Sequence, residues 1–182
     1  MTRITEALTT EHAVFTTVFD QIERALPGVE TLGEAKRLAG LVEALLHSHS
    51  ETETDLAYVA LDHMLDHRGE LDELHEDHQE IDIRLKRIQS ANDCGEARRL
   101  LKAALRASRE HFLREERTVF PLIDRVLSQE ALTALGGLWA QRGLARGYSR
   151  KQAPRAVRGE SRPVSLSGNL VKERGGSAAD VE

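Results

Sequence analysis

Residues 42–60 read VEALLHSHSETETDLAYVA, and this stretch decides the fold. Its apolar residues recur at three- and four-residue steps, which predicts a helix with one face toward a core. His49 and Glu53 fall on that apolar face, about one turn apart. The pair His47 and Glu51 has the same spacing but points to the opposite face, toward water. A buried imidazole and a buried carboxylate are costly unless something pairs with them.

The same periodicity covers most of the chain and predicts four long helices. Their predicted bounds are residues 3–26, 31–63, 70–91 and 94–127. Short connections between them predict an all-α, up-down-up-down four-helix bundle. Pro121 lies inside the fourth helix and predicts a kink or a local break there.

Two of these helices begin with the pattern of a capping box, in which a polar residue and an acid three positions later satisfy each other's backbone groups. Thr31 with Glu34 predicts the start of the second helix. Asp93 with Glu96 predicts the start of the fourth.

The chain changes character after residue 127. Ser128 is predicted to cap a short fifth helix that reaches about Leu144. Residues 146–182 are rich in Gly, Ser, Pro and Arg, which predicts a disordered tail. We therefore divide the chain into a bundle, 1–145, and a tail, 146–182. The tail is basic but has no clustered run of charge, so a solvated extension is favoured over nucleic-acid binding.

Composition narrows the class of protein further. The single cysteine, Cys94, excludes a disulfide framework within the chain and fits a reducing compartment. The N-terminal residues contain no hydrophobic run, so we expect no signal peptide. No stretch approaches the roughly 18–20 apolar residues of a membrane span. We expect a soluble cytoplasmic protein.

Each of the four long helices carries a histidine on its apolar face, and two of them add a glutamate four residues later. At about 1.5 Å per residue, all these positions lie roughly 12–24 Å from the same end of the bundle. They can therefore converge on one layer. The residues are His12, His49, Glu53, His78, His111 and Glu115.

Neutral imidazoles and carboxylates suit iron, manganese or zinc. Six ligands are too many for one closed tetrahedral zinc. They suit two metal ions, with Glu53 and Glu115 bridging and the histidines terminal, and with positions left open for oxygen, peroxide or solvent. The alternative is a structural bundle whose histidines form ordinary hydrogen bonds in the core and bind nothing.

Other polar residues lie near this layer or have a similar four-residue spacing. His75 is either a further nitrogen ligand or an exposed residue on the flank of its helix. We interpret Glu116 as an outer or surface acid rather than a ligand, and Tyr58 as a packing residue rather than a phenol that points at the site. His63 and His67 have a zinc-binding spacing, but we interpret them as surface histidines beside a turn.

The sequence resembles the hemerythrin-like, or HHE cation-binding, family over about residues 3–127. The segments that carry the resemblance are EH at 11–12, HSETETDLAY at 49–58, LHEDHQEID at 74–82 and HFLREERTVFP at 111–121. The resemblance implies a non-heme site with two iron ions, oxo- or hydroxo-bridged. The ligands that it implies are His12, His49, Glu53, His78, His111 and Glu115.

Two differences set the chain apart from the oxygen-carrying hemerythrins that it resembles. Their third helix has a histidine where this chain has Leu74, and their fourth helix has an aspartate five residues after its histidine, where Glu115 follows His111 by four. The pattern is closer to members that sense iron or oxygen or handle peroxide and nitric oxide. The resemblance thus implies a protein that binds or senses iron, oxygen or nitric oxide; the alternative is a di-iron enzyme acting on peroxide, catalase- or peroxidase-like.

Overall fold

A computed structural model describes the backbone of residues 2–62 and 71–152, and the side chains of these residues as far as Arg142. Within these ranges the chain forms helices and no strand, which confirms the predicted all-α bundle. None of the described helices is long and apolar enough to cross a membrane. The α-helices are α1 (Ile4–Ala25), α2 (Leu32–Thr52), α3 (Val59–Asp62), α4 (Asp72–Gln89), α5 (Cys94–Arg114), α6 (Phe120–Val126) and α7 (Gln129–Gln152).

Two π-helical segments interrupt the long helices. The first, π1 (Glu53–Tyr58), joins α2 to α3, and the second, π2 (Glu115–Val119), joins α5 to α6. Each shows the wider hydrogen bonding of a π-helix, because the residue after the segment bonds five positions back: Val59 N–H to the Thr54 carbonyl, and Phe120 N–H to the Glu115 carbonyl.

The interruption predicted at Pro121 is present, but it begins at Glu115 and takes the form of π2. Proline alone does not explain it, since π1 contains no proline. What the two segments share is that each begins at a fully buried glutamate, Glu53 or Glu115. Because π-bulges are frequent at functional sites, the positions of π1 and π2 indicate a functional site at the level of the two glutamates.

Both capping predictions are confirmed. Thr31 Oγ1 accepts the Glu34 N–H while the Glu34 carboxylate accepts the Thr31 N–H. Asp93 Oδ1 accepts the Glu96 N–H at 2.9 Å, but the Glu96 carboxylate reaches the N–H of Asn92 instead of that of Asp93. Helices α2 and α5 therefore begin where the sequence indicates.

The fifth helix begins as predicted and ends later. Ser128 Oγ accepts the Ala131 N–H at 3.2 Å, which confirms the cap. Helix α7 then continues to Gln152, past the predicted end at Leu144 and across the predicted domain boundary. Five of the eight added residues are Ala, Arg, Lys or Gln, which favour a helix despite Gly147. Residues 153–182 of the predicted tail, and His63 and His67, lie outside the described residues.

The apolar core consists of two clusters. Cluster A contains Phe15, Phe19, Leu46, Ile81, Leu85, Leu101 and Phe112, among others. Cluster B contains Ile4, Leu8, Leu56, Leu74, Val119, Ile123 and Leu132, among others. Helices α1 and α4 pass from one cluster to the other, and α2 and α5 are continued into cluster B by π1 and π2. The crossing point in α1 lies between Leu8 and Phe15, where His12 is buried.

Candidate metal centre

The structure brings the six predicted residues together in one layer between clusters A and B. Five are almost fully buried: His12, His49, Glu53, His111 and Glu115. The side chain of His78 is 15% exposed. The layer divides into two groups of four potential metal ligands, and the ligand atoms of each group lie within 4.8 Å of one another. The first group is His12, His49, Glu53 and Glu115, and the second is Glu53, His78, His111 and Glu115.

Glu53 contributes one carboxylate oxygen to each group. Its Oε1 lies 3.1 Å from His49 Nε2 and 3.5 Å from His12 Nε2. Its Oε2 lies 3.4 Å from His78 Nε2. This carboxylate therefore spans the two groups.

Glu115 divides its oxygens in the same way. Its Oε2 lies 3.4 Å from His12 Nε2, in the first group, and its Oε1 lies 3.4 Å from His111 Nε2, in the second. Within each group the two imidazoles also meet through Nε2, at 3.0 Å for His12 and His49 and at 2.7 Å for His78 and His111. The donor atoms of each group thus converge on one point.

Buried carboxylate oxygens without partners test whether this layer fits metal ions. Among the described residues, no hydrogen bond reaches Glu53 Oε1, Glu53 Oε2 or Glu115 Oε2, although imidazole nitrogens lie within 3.5 Å of them. Such groups are rare in folded proteins, because an unsatisfied buried acceptor costs about 1–3 kcal/mol, and more when it is charged. A cation in each group would satisfy these oxygens. The residues present therefore fit a pair of metal ions.

The pKa shifts of the two glutamates also favour a bound metal. Burial opposes ionisation of Glu53, but His49, together with His12 and His78, outweighs it and holds the pKa of Glu53 well below its usual value. Burial, together with the charge of Glu53, raises the pKa of Glu115 well above its usual value. The protein alone therefore stabilises only one of the two carboxylates as an anion. Metal ions between them would favour the charged form of both.

The pKa values of two histidines of the layer are shifted in opposite directions. Burial works against a charge on His49, but Glu53 and Glu11 raise its pKa to about 10. Burial and the adjacent His78 lower the pKa of His111 to about 4. Without metal, His49 therefore favours its charged form and His111 its neutral form.

Three of the histidines bond an outer carboxylate through the nitrogen that faces away from the layer. The Nδ1 atoms of His12, His49 and His111 lie 2.9 Å from Glu116, 3.1 Å from Glu11 and 3.2 Å from Asp77, respectively. Because an ionised carboxylate can only accept, each Nδ1–H donates to it, and Nε2 is the atom that faces the layer and would bind a metal ion. Outer carboxylates of this kind orient metal-binding histidines.

Sequence reasoning identified Glu116 as an outer acid and missed Glu11 and Asp77. A signal was present, since each missed acid directly precedes a histidine of the layer. Each one, however, supports a histidine on a different helix: Glu11 contacts His49, and Asp77 contacts His111. Only the packed structure pairs them.

Tyr58 and His75 lie next to the layer. The Tyr58 hydroxyl donates a hydrogen bond to Glu115 Oε1, which corrects the interpretation of Tyr58 as a packing residue alone. His75 is half-buried and belongs to neither group; its ring lies 5.4 Å from that of Tyr58, edge to face. His75 is thus a flank residue in contact with Tyr58.

A small cavity reaches the layer between α2, α4 and α5. Its volume is about 10 Å³, close to the space that one water molecule needs. The imidazoles of the layer meet the apolar side chains of Leu46, Ile81 and Phe112 along its walls. The ring of Phe112 also stacks on that of His12 at 4.0 Å.

Comparison with known proteins identifies the family. Residues 3–123 match the family described as "Hemerythrin HHE cation binding domain". No curated protein and no solved structure matches the chain. The matched range extends from the start of α1 into α6 and contains all six residues of the layer. The chain therefore belongs to the hemerythrin HHE cation-binding family.

Proposed function

We propose that this protein binds two non-heme iron ions in the layer and uses them to bind or sense iron, oxygen or nitric oxide. The observation that carries the proposal is the division of both carboxylates between the two groups. Glu53 and Glu115 each offer one oxygen to either group, while each pair of histidines belongs to one group alone. His12, His49, Glu53, His78, His111 and Glu115 would hold the ions.

The donor set supports iron as the metal. Imidazole and carboxylate ligands suit iron, manganese and zinc, and soft thiolate ligands are needed for copper(I) or iron–sulfur clusters. The single cysteine, Cys94, lies in cluster A and points its thiol at the Val29 carbonyl. Membership of a family named after hemerythrin favours iron among the three metals. A cytoplasmic location, which the single cysteine favours, belongs to the same proposal.

When bound, iron would supply one-electron chemistry and open coordination positions for a small ligand. The chain's own residues set the orientation of the imidazoles and the access to the layer. Glu11, Asp77 and Glu116 fix three imidazoles with Nε2 inward. The cavity beside Leu46 and Ile81 has room for about one water-sized molecule. That size supports a diatomic ligand.

The first experiment is elemental analysis of protein reconstituted with ferrous iron, followed by optical titration with nitric oxide and oxygen. We expect about two irons per chain and a saturable spectral change in each titration. His47→Ala is the matched control, since His47 has the same four-residue spacing to Glu51 but is exposed. It should bind the same iron as the wild type. A chain that takes up no metal would overturn the proposal.

The position of Tyr58 favours a second candidate, a peroxide-consuming enzyme. Catalase-like disproportionation turns two peroxide molecules into one oxygen molecule and two waters, so protons must pass from one peroxide to the other. The Tyr58 hydroxyl is buried and donates to Glu115, so the hydrogen-bonded pair can relay such a proton while the phenol stays neutral overall. Sustained oxygen evolution from peroxide that collapses in Tyr58→Phe, with iron content unchanged, would favour this candidate over sensing.

A further inference from the structure

Helix α7 lies beyond the family match, which ends at residue 123, yet it is seated firmly on the bundle. Leu132 is fully buried in cluster B, and Leu135 and Trp139 pack against the same cluster. Gly136 faces the N-terminal segment so closely that a Cβ there would overlap the Thr2 carbonyl. The backbone of α7 therefore rests directly on the start of α1.

Trp139 connects this helix to the candidate metal centre. Its indole Nε1–H donates to Glu11 Oε2 at 3.1 Å. The same oxygen lies 3.1 Å from His49 Nδ1. Glu11 is about one-third exposed, so it needs a second partner to stay in place. The indole supplies that partner, and the chain of contacts runs from α7 through α1 to a histidine on α2.

A second contact from α7 is weaker. Arg142 Nη1 lies 2.9 Å from Asp55 in π1, the segment that begins with Glu53. Both side chains are more than one-third exposed. Exposed ion pairs typically contribute less than about 1 kcal/mol. Trp139 is therefore the residue through which α7 acts on the layer.

The two groups of the layer have separate outer supports. His49 in the first group depends on Glu11, which Trp139 holds. His111 in the second group depends on Asp77, which Arg114 of α5 holds. The contact from Trp139 thus reaches one group only.

We propose that Trp139 is a positioning residue for one of the two metal ions. By holding Glu11, it fixes the His49 imidazole and slows the escape of the ion bound by His12 and His49. The ion bound by His78 and His111 does not depend on it. This inference rests on the proposed two-metal function and adds that a helix outside the family match controls how tightly one ion is held.

The test compares wild-type protein and Trp139→Phe, both loaded with ferrous iron without oxygen and then mixed with excess chelator. In Trp139→Phe we expect half of the iron to leave about tenfold faster and the other half to leave at the wild-type rate. Loss of the direct outer partner of a metal-binding histidine typically costs about 10–100-fold in metal affinity, and Trp139 acts on that partner, Glu11, so the lower end of the range applies. Asp77→Asn should speed the other half. Leu135→Ala removes an apolar contact of α7 without touching Glu11 and should leave both rates unchanged.

Glu11→Gln keeps Trp139 and α7 in place and provides a second test. The amide is a poorer acceptor than the carboxylate for His49 Nδ1, so the same half of the iron should be released faster. Circular dichroism shows whether each variant keeps its helices. Wild-type release rates in Glu11→Gln, or equal acceleration of both halves in Trp139→Phe with its helices intact, would overturn the inference. Absence of two bound irons in the wild type would instead overturn the proposed function.

Discussion

The Tyr58 hydroxyl donates a hydrogen bond to Oε1 of Glu115 and so joins π1 to π2 inside the core. Tyr58 is 1% exposed, and Glu115 is fully buried. Burial and the charges of Glu115 and Glu53 raise the pKa of Tyr58, so the phenol keeps its proton. The bond therefore connects a permanent donor to a carboxylate that both groups of the layer share.

Tyr58→Phe should destabilise the metal-free protein more than the metal-loaded protein. The substitution removes the donor and leaves a buried oxygen of Glu115 unpaired, which costs about 1–3 kcal/mol. A bound ion would cover the same oxygen and reduce that cost. Urea unfolding of both forms measures the difference. An equal loss of unfolding free energy in the two forms would show that the bond is independent of the metal.

Much of the layer could be predicted from the sequence because helical periodicity places a residue on a face without knowledge of its neighbours. His12 between Leu8 and Phe15, and His78 between Leu74 and Ile81, needed only the spacing along one helix. The structure confirms that these apolar neighbours are buried. This reasoning uses only the spacing of residues along one helix, and it holds wherever the helix is regular.

The π segments are where that reasoning fails. An α-helical wheel turns 100° per residue and puts Tyr58 well off the line of Glu53. The wider turn of π1 brings Tyr58 inward, and π2 does the same for Phe120 after Glu115. A regular α-helix would place Leu122 on the face of Glu115, but Leu122 is only partly buried, while Ile123 is fully buried. This one-residue change of register begins at a buried glutamate in both segments, and the apolar spacing of the sequence does not reveal it.

Substitution of a shared ligand should cost more metal than substitution of an unshared one. Glu53→Gln and Glu115→Gln each remove the negative charge and one oxygen of a carboxylate that both groups share, whereas His78→Ala removes a ligand atom from one group. We expect the glutamine variants to retain almost no iron and His78→Ala to retain about half of the wild-type iron. Elemental analysis after removal of free iron measures this.

Glu51→Gln is the control for these variants, since Glu51 is half-exposed beside His47 and outside the layer. It should keep the wild-type iron content. Loss of only one ion in Glu53→Gln would argue against a shared carboxylate and favour two independent sites.

Removal of metal should lower the melting temperature. A ligand at 100 times its dissociation constant stabilises the folded state by about 2.7 kcal/mol, and a protein of this size gains roughly 2–4 °C per kcal/mol. We therefore expect chelation to lower the melting temperature by at least about 5 °C in calorimetry. Glu53→Gln, which should lack the ions already, should show no such shift. A chelator effect of equal size in that variant would indicate metal bound elsewhere on the chain.

Filling the cavity should slow ligand binding and leave the metal in place. Ile81 lines the cavity, and a phenylalanine there would occupy its volume of about 10 Å³. We expect Ile81→Phe to bind two irons and to react with nitric oxide about tenfold more slowly, which corresponds to about 1.4 kcal/mol of added barrier. Ile83→Phe is the matched control, since Ile83 is on the same helix and is 56% exposed. Stopped-flow absorbance measures both rates. If Ile81→Phe reacts as fast as Ile83→Phe, the ligand reaches the layer by another path, and the aromatic side beside His12 and Phe112 becomes the place to look.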